Sequence, residues 1–591
     1  HSFFDTARGT AKAIYSNTND AQGNTSGVTA FNSNGFTLGD TGLVNQNTAD
    51  FVSWTFRKAP KFFDVVTYTG SGNNVQTVSH NLGSDVGMII VKSVNSDKVW
   101  HVWHKGLSNA AQSYMYLNST DQAYTATDIW GNTAPTSTQF TVGSNSDVNG
   151  SGITFVAYLF AHNNNDGNFG PNGDQDIIKC GDFTTDGSGQ VTVDLGFEPQ
   201  FIFYKPTSTG SWVLLDVMRG ITTDGTPDSY LIANNANAEA GSSAFFEVLS
   251  NGFKAVSLST NQNSVYMAIR RGSLVEPSSA TDVFDINIYT ASGAAGNKQT
   301  TGFPVDLSLI GVRDGGSGWM HGVVSRLTGG DVYLSTSTGS ASASSGGYQQ
   351  GLRLDDMTGF SFRGQPFNNN SGTNNMHNFN WKRAPSFCDV VCYDGTGSAR
   401  TVVHNLDVAP EMMWVKCRSE SQDWTVYHNN IDSSAPEDYG IYLNDTAARV
   451  DSANFWNDTA PTSSVFTVGT AGKTNGNAKT YIAYLFATLA GISKVGSYTG
   501  NGGTQTIDCG FSNGARFVVI KPSSTTGGWR VFDTERGIVS GNDPYLVLQS
   551  TNAEDSSYDI IDPDSSGFIV GQNASAPVNA SGVTYIFYAI A

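Results

Sequence analysis

The feature that most constrains this chain is that it repeats itself. Ala59-Pro60-Lys61-Phe62-Phe63-Asp64-Val65-Val66 returns as Ala384-Pro385-Ser386-Phe387-Cys388-Asp389-Val390-Val391, a displacement of 325 residues. His80-Asn81-Leu82 returns as His404-Asn405-Leu406. The TAPTS stretch at 133–137, closed by Phe140-Thr141-Val142-Gly143, returns at 459–463 with Phe466-Thr467-Val468-Gly469. A shorter period lies inside the long one. Trp100, Trp212, Trp319, Trp424 and Trp529 each follow a polar turn and open an apolar stretch, at spacings of 112, 107, 105 and 105 residues. An apolar run precedes each of them, and four of these runs lead into a lysine: Lys92, Lys205, Lys416 and Lys521. The long displacement is thus three short ones, and an array of similar supersecondary units is expected.

Five full repeats are read at 61–161, 177–271, 282–382, 386–487 and 493–591, with the C-terminal half of another at 1–58. They come in three kinds. The first and fourth share histidines; the second and fifth share an Asp-x-x-Arg-Gly corner; the third is divergent, with Ser325-Arg326 at that place. Because His1-Ser2-Phe3-Phe4 falls inside a repeat, the sequence reads as a segment of a longer chain.

Within a repeat, apolar and polar residues alternate over short runs such as Val191-Thr192-Val193-Asp194-Leu195, and Gly, Asn, Asp or Pro close each run. Roughly six to nine short strands fit each repeat, the number a β-sandwich needs. A propeller blade of about 40–50 residues is too short a unit. The expected fold is therefore all-β: a tandem array of about five and a half antiparallel, jelly-roll-like sandwiches. Short Gly/Asn-rich connections, including 163–173, 291–301, 335–347, 368–375 and the linker 272–280, lead to the expectation that the units pack end to end as a semi-rigid rod.

Only 14% of residues are charged, which argues against exposed helices, and the net charge of −19 repels polyanions. There is no Lys/Arg cluster for nucleic acid and no apolar run of about 18 residues for membrane insertion. Cys180, Cys388, Cys392, Cys417 and Cys509 are odd in number and form no CxxC pair, so buried free thiols are expected.

No nucleophile elbow, HExxH pair or phosphate-binding loop is present, and no cofactor is expected. Asp5/Arg8, Asp216/Arg219 and Asp533/Arg536 form the best polar constellation. Recurrence favours a structural ion pair at a strand-to-turn corner, with Gly9, Gly220 and Gly537 taking positive φ. His80, His104, His404 and His428, with His101 beside the first set, lack an obvious third zinc ligand and read as satisfied turn or core histidines. The five repeat tryptophans read as core plugs. Trp130 and Trp456, beside the Thr/Pro loops, read as exposed aromatics able to stack on a ligand. Asp166, Asn168, Asn172, Asp174 and Asp176 are oxygen-rich but lack calcium-loop spacing.

The Asp-x-x-Arg-Gly corner, Phe31-Asn32-Ser33-Asn34-Gly35-Phe36-Thr37-Leu38, Ile177-Ile178-Lys179-Cys180-Gly181, the lead-in Phe62-Phe63-Asp64-Val65-Val66 and the block from His80 to Lys92 resemble a repeat of marine bacteriophage tail-fibre and other virion structural proteins. That repeat often sits beside concanavalin-like, laminin-G-like domains. The resemblance covers nearly the whole chain and transfers no catalytic or ligand residue. It implies a non-enzymatic virion protein, part of a tail fibre or appendage, forming a shaft and attaching to a host surface. The expected partners are further copies of itself (a trimer among them), other virion proteins, and a host glycan or protein receptor. A lectin-like module and a head decoration are the alternatives.

Overall fold

The computed structural model describes residues 1–73, 75–223, 228–272, 274–292, 296–314, 321–344, 351–363, 374–571 and 577–591. The fifth repeat shows the plan. Its strands are β1 (Ser493–Thr499), β2 (Gln505–Asp508), β3 (Phe517–Pro522), β4 (Arg530–Asp533), β5 (Leu546–Val547), β6 (Ile561–Asp564), β7 (Gly567–Val570) and β8 (Thr584–Ile590). They form two antiparallel sheets, β1-β8-β3-β4-β5 and β2-β7-β6. The first strand pairs with the last, Ser493 opposite Ile590, so the chain enters and leaves the sandwich at one end. The larger sheets of the other repeats keep this order, at 63–161, 178–270, 284–381 and 388–486. The leading half-repeat begins at the counterpart of β4 (Ser2–Asp5), and there Phe31, Leu38, Leu43 and Phe51 lie exposed.

Alternation along β3 explains the packing. Val518 and Ile520 point into the fifth repeat's own interior with Phe532, Phe568, Phe587 and Ala589. Phe517, Val519 and Lys521 alternate with them onto the opposite face, yet they too are fully buried. The counterparts Val86–Ser93 and Met412–Cys417 are likewise buried along their whole length. A strand apolar on both faces needs cover on both. One cover is its own small sheet, and the other comes from neighbouring repeats.

The chain forms two compact units, one of residues 1–221, 225–247 and 252–271, the other chiefly of 272–591. Each holds three successive repeats, the leading half included. In the second unit three aromatic contacts close a triangle: Trp381 of the third repeat meets Phe486 of the fourth (6.3 Å between centroids), Phe486 meets Tyr588 of the fifth (5.0 Å), and Phe517 of the fifth returns to Trp381 (5.7 Å). In the first unit Phe56, the residue 325 positions before Trp381, meets Phe160 (5.4 Å) and Phe201 (6.2 Å). Within a unit the repeats therefore do not run as a line of end-to-end beads. Each touches both others, because each has a second apolar face that one neighbour alone does not cover.

Candidate functional site: the seams between repeats

The polar side chains singled out by the sequence gather where repeats meet. Trp100 donates its indole N–H to the carbonyls of Tyr15 (3.0 Å) and Thr18, Trp212 to Tyr116 (2.8 Å), Trp424 to Ser335 (2.8 Å) and Trp529 to Tyr442 (2.8 Å). Every acceptor lies in the preceding repeat. These indoles are buried, but they fill the seam between repeats and not the sandwich interior. The reason is parity: Trp529, Val531 and Asp533 share the outward face, and Arg530 and Phe532 the inward one.

Trp319 lies outside the described residues, and pairing shows that His321 holds the tryptophan position in the third repeat. Ile310 opposes Gly322 as Val415 opposes Thr425, which aligns His321 with Trp424. The backbone agrees, since Thr336 N–H reaches His321 O as Leu443 N–H reaches Trp424 O. In the leading half-repeat His1 holds the same position, with Ser16 N–H on His1 O. Its Nε2 lies 2.9 Å from Ile232 O of the second repeat, the counterpart of Tyr442 O. Both units thus carry histidine where the third contact closes a ring. Ser16 Oγ donates to Ala233 O (2.6 Å) and Thr336 Oγ1 to Leu548 O (2.7 Å) at the same closures. Spacing in the sequence pointed to Trp319; the residue two positions on was visible only through strand register.

A backbone series runs round the rings. Gln22 N–H donates to Val94 O, Ala123 to Thr207, Ser342 to Arg418, Arg449 to Ser523 and, closing the second unit, Glu554 to Arg313. The lysines sit beside it. Lys92 Nζ reaches Asn19 O (3.0 Å) and Ser93 O; Lys416 reaches Gly339 O (2.9 Å) and Gln422 O; Lys521 reaches Ala447 O (3.0 Å), Asp445 O and Gly527 O; Lys205 reaches Gly210 O. Lys92, Lys416 and Lys521 each reach a carbonyl of the preceding repeat, whereas Lys205 reaches one of its own, and burial lowers all four lysines to a pKa of about 8. Gly311 takes the lysine position in the third repeat. It leaves room for His321 and His377, whose Nδ1 and Nε2 approach to 3.3 Å, and a Cβ there would collide with both rings.

Two further histidines bridge seams. His104 Nε2 reaches Tyr266 O (3.0 Å) and His428 Nε2 reaches Phe587 O (3.2 Å), while each Nδ1 accepts the amide two residues on. Burial holds His104 down to about 3 and His428 to about 4. His80 and His404 accept the amides of Leu82 and Leu406 at turns. His101 is buried and lowered to about 4 by desolvation.

The Asp-x-x-Arg-Gly corners share one geometry. The carboxylate of Asp5, Asp216 or Asp533 accepts the backbone N–H and Nε–H of Arg8, Arg219 or Arg536, whose Nη2 turns back to Phe3 O, Leu214 O or Val531 O. Gly9, Gly220 and Gly537 follow with φ of +89°, +125° and +125°. In the third repeat Arg326 bonds Asp306 instead (2.9 Å). The corners also face seams: Tyr158 OH donates to Asp5, Trp54 Nε1 to Asp216, and Arg536 and Arg313 share Glu554.

Trp130 and Trp456, expected at the surface, are 1% exposed and bond Ser113 O and Tyr439 O inside their own repeats. They are the plugs of the sandwich interiors, and neither offers a face to a ligand. The Thr/Pro loops beside them are exposed, but each indole folds inward beneath the sheet edge. The five cysteines are buried and free. Asp176 spends its oxygens on the amides of Asn165 and Gly167. Among the described residues no three His, Cys, Asp or Glu side chains group to hold a metal, and no helix is long and apolar enough to cross a membrane.

No curated protein and no solved structure matches the chain. A family model described as a domain of unknown function, DUF7483, matches it over 1–270 and 279–591, two stretches that follow the division into two three-repeat units. The chain belongs to the DUF7483 family.

Proposed function

We propose that this chain is a non-enzymatic structural protein of a bacteriophage particle, part of a tail fibre or related appendage that meets the host surface. The observation that carries the reading is where the buried polar groups go: indoles, lysines, histidines and Asp–Arg corners are spent on joining repeats into closed threes. A protein whose costly polar groups are committed to stiffness is suited to bearing shape and load. The resemblance of its repeats to virion proteins supplies the particle. Its partners are then other virion proteins and further copies of itself, with a host glycan or protein receptor at the exposed surface. The lectin alternative is weakened by the burial of Trp130 and Trp456. Antibodies raised against the folded chain should label an appendage of intact particles by electron microscopy. Label confined to the head, or a chain absent from purified particles, would overturn the appendage reading.

A further inference from the structure

The first and fourth repeats are near-copies, so the fourth is an internal control for what the fold requires of the first. They differ sharply at one place on the outer strands. In the first repeat Tyr114 pairs across strands with Tyr124, and Tyr116 pairs with His101. The same register in the fourth pairs Gly440 with Val450 and Tyr442 with Thr425. The first repeat thus adds two tyrosines and a histidine that its twin folds without. Their rings are in mutual contact: Tyr114–Tyr124 centroids are 5.7 Å apart, Tyr114–Tyr116 5.4 Å, Tyr116–Tyr124 5.6 Å and His101–Tyr116 5.2 Å. Tyr124 is exposed and Tyr114 and Tyr116 are partly so.

The acid and the base beside this shelf exchange positions between the twins. In the fourth repeat Lys473, second residue of the one-turn helix Gly472–Asn475, lies 4.0 Å over the Tyr442 ring and is tied to Asp423 (2.5 Å). In the first repeat the second residue of the matching helix, Ser146–Asn149, is Asp147. Lys98 fixes one oxygen of Asp147 at 2.9 Å, and the Asp147 charge acts on both His101 and Tyr116. Where the twin lays its own ammonium on a tyrosine face, the first repeat has more tyrosine, and its nearby ammonium, Lys98, is held instead by Asp147 and Ser146 Oγ.

We propose that Tyr114, Tyr116 and Tyr124, bordered by Asp147, form a binding shelf for an alkylammonium group brought by a ligand, seated as Lys473 is on Tyr442. Aromatic faces and a nearby carboxylate both attract such a cation, and the net charge of −19 favours its approach. Because the rings touch one another, the shelf takes the cation on its outer side and is not a cage around it. The source of the ammonium rests on the attachment reading: a headgroup or amino sugar of a cell surface. The site itself does not rest on it.

Choline and ethanolamine are the probes, each titrated against the whole chain with saturation-transfer NMR observed on the probe. Saturable transfer is expected at millimolar concentration. Tyr124→Val, which installs the twin's residue and so preserves the fold, should weaken binding about two- to fivefold, the loss of one exposed cation–aromatic contact. Asp147→Asn should weaken it about fivefold. Transfer to choline alone assigns a quaternary headgroup, and transfer to ethanolamine alone a primary amine. No transfer from either probe far above millimolar, or affinity unchanged in both variants, would overturn the proposal. Free-probe binding by a chain that labels no particle would keep the site and sink the attachment reading.

Discussion

His428 gives the sharpest handle on the seams. Its two ring nitrogens are committed, Nε2–H to Phe587 O at 3.2 Å and Nδ1 as acceptor for Asn430 N–H at 3.1 Å. Adding a proton to Nδ1 sets N–H against N–H in a fully buried site, and burial lowers the pKa to about 4. In the unfolded chain the group titrates near 6.5. The folded value is depressed, so below pH 6.5 the unfolded state binds the extra proton and stability falls with pH until about pH 4. The loss from this one residue is about 2 kcal/mol at pH 5 and about 3 kcal/mol at pH 4. His321, also near 4 in the same unit, adds a similar amount, so these two residues together remove about 4 kcal/mol by pH 5, a large share of a usual margin of about 5–15. Urea unfolding followed by tryptophan fluorescence at pH 7, 6 and 5 measures the slope. His428→Gln keeps an N–H for Phe587 O and does not titrate, so between pH 7 and 5 it should lose about 2 kcal/mol less than the wild type. Carboxylates and other histidines cancel in that difference. Parallel pH slopes for variant and wild type would refute the reasoning.

Lys521 should behave with the same sign in a higher window. Its folded pKa of about 8 lies below the unfolded 10.5, so stability rises as pH climbs from 8 towards 10.5, and Lys521→Met should flatten that rise by this residue's share, leaving that of Lys416, in urea titrations between pH 7.5 and 9.5. Trp529→Phe leaves Tyr442 O without its indole donor and should cost about 1–3 kcal/mol by chemical denaturation. Trp529→His, which copies His1, should recover part of that loss. The fifth repeat alone (493–591) uncovers Phe517, Val519, Val531, Tyr588 and Ile590, roughly 10 kcal/mol of burial and about its whole stability. It should aggregate or remain molten by size-exclusion and near-ultraviolet circular dichroism, whereas 272–591 should fold in a cooperative transition.

The all-β class was legible because period-two alternation and Gly/Asn/Asp punctuation recur wherever the repeat does. The Asp-x-x-Arg-Gly corner was legible because its contacts lie within five residues, Asp533 to Arg536 and Arg536 back to Val531. The seams were not. Whether Trp529 or Phe532 faces inward depends on which neighbour bears on each side, and both look alike in an apolar run. Trp456 was misplaced for the mirror reason: polar neighbours in its loop suggest exposure, while a one-turn helix, Ala453–Trp456, folds the indole under the sheet to Tyr439 O. His321 was hidden by Trp319, two residues away and closer to the expected spacing. The lysines ending four apolar runs were the one signal available. A lysine fully buried at a fixed point of such a strand needs carbonyls to receive it, and for Lys92, Lys416 and Lys521 one or more of those carbonyls belong to the preceding repeat.

The three kinds of repeat follow from closure. In an open array every internal repeat has equivalent neighbours, its two ends need polar caps, and one kind of repeat suffices. A ring of three has no ends, so the apolar outer face of each larger sheet is covered without a cap. It has, however, one contact that joins the last repeat to the first and is not made between sequence neighbours. That contact departs from the rule in both units. Histidine replaces tryptophan at His1 and His321, and a hydroxyl replaces the aliphatic residue of Leu117, Leu443 and Leu548 at Ser16 and Thr336. The 325-residue displacement is therefore the period of the ring and not a multiple chosen by chance. Residues 1–16 and 321–336 hold the same closing places in their units while sharing little else.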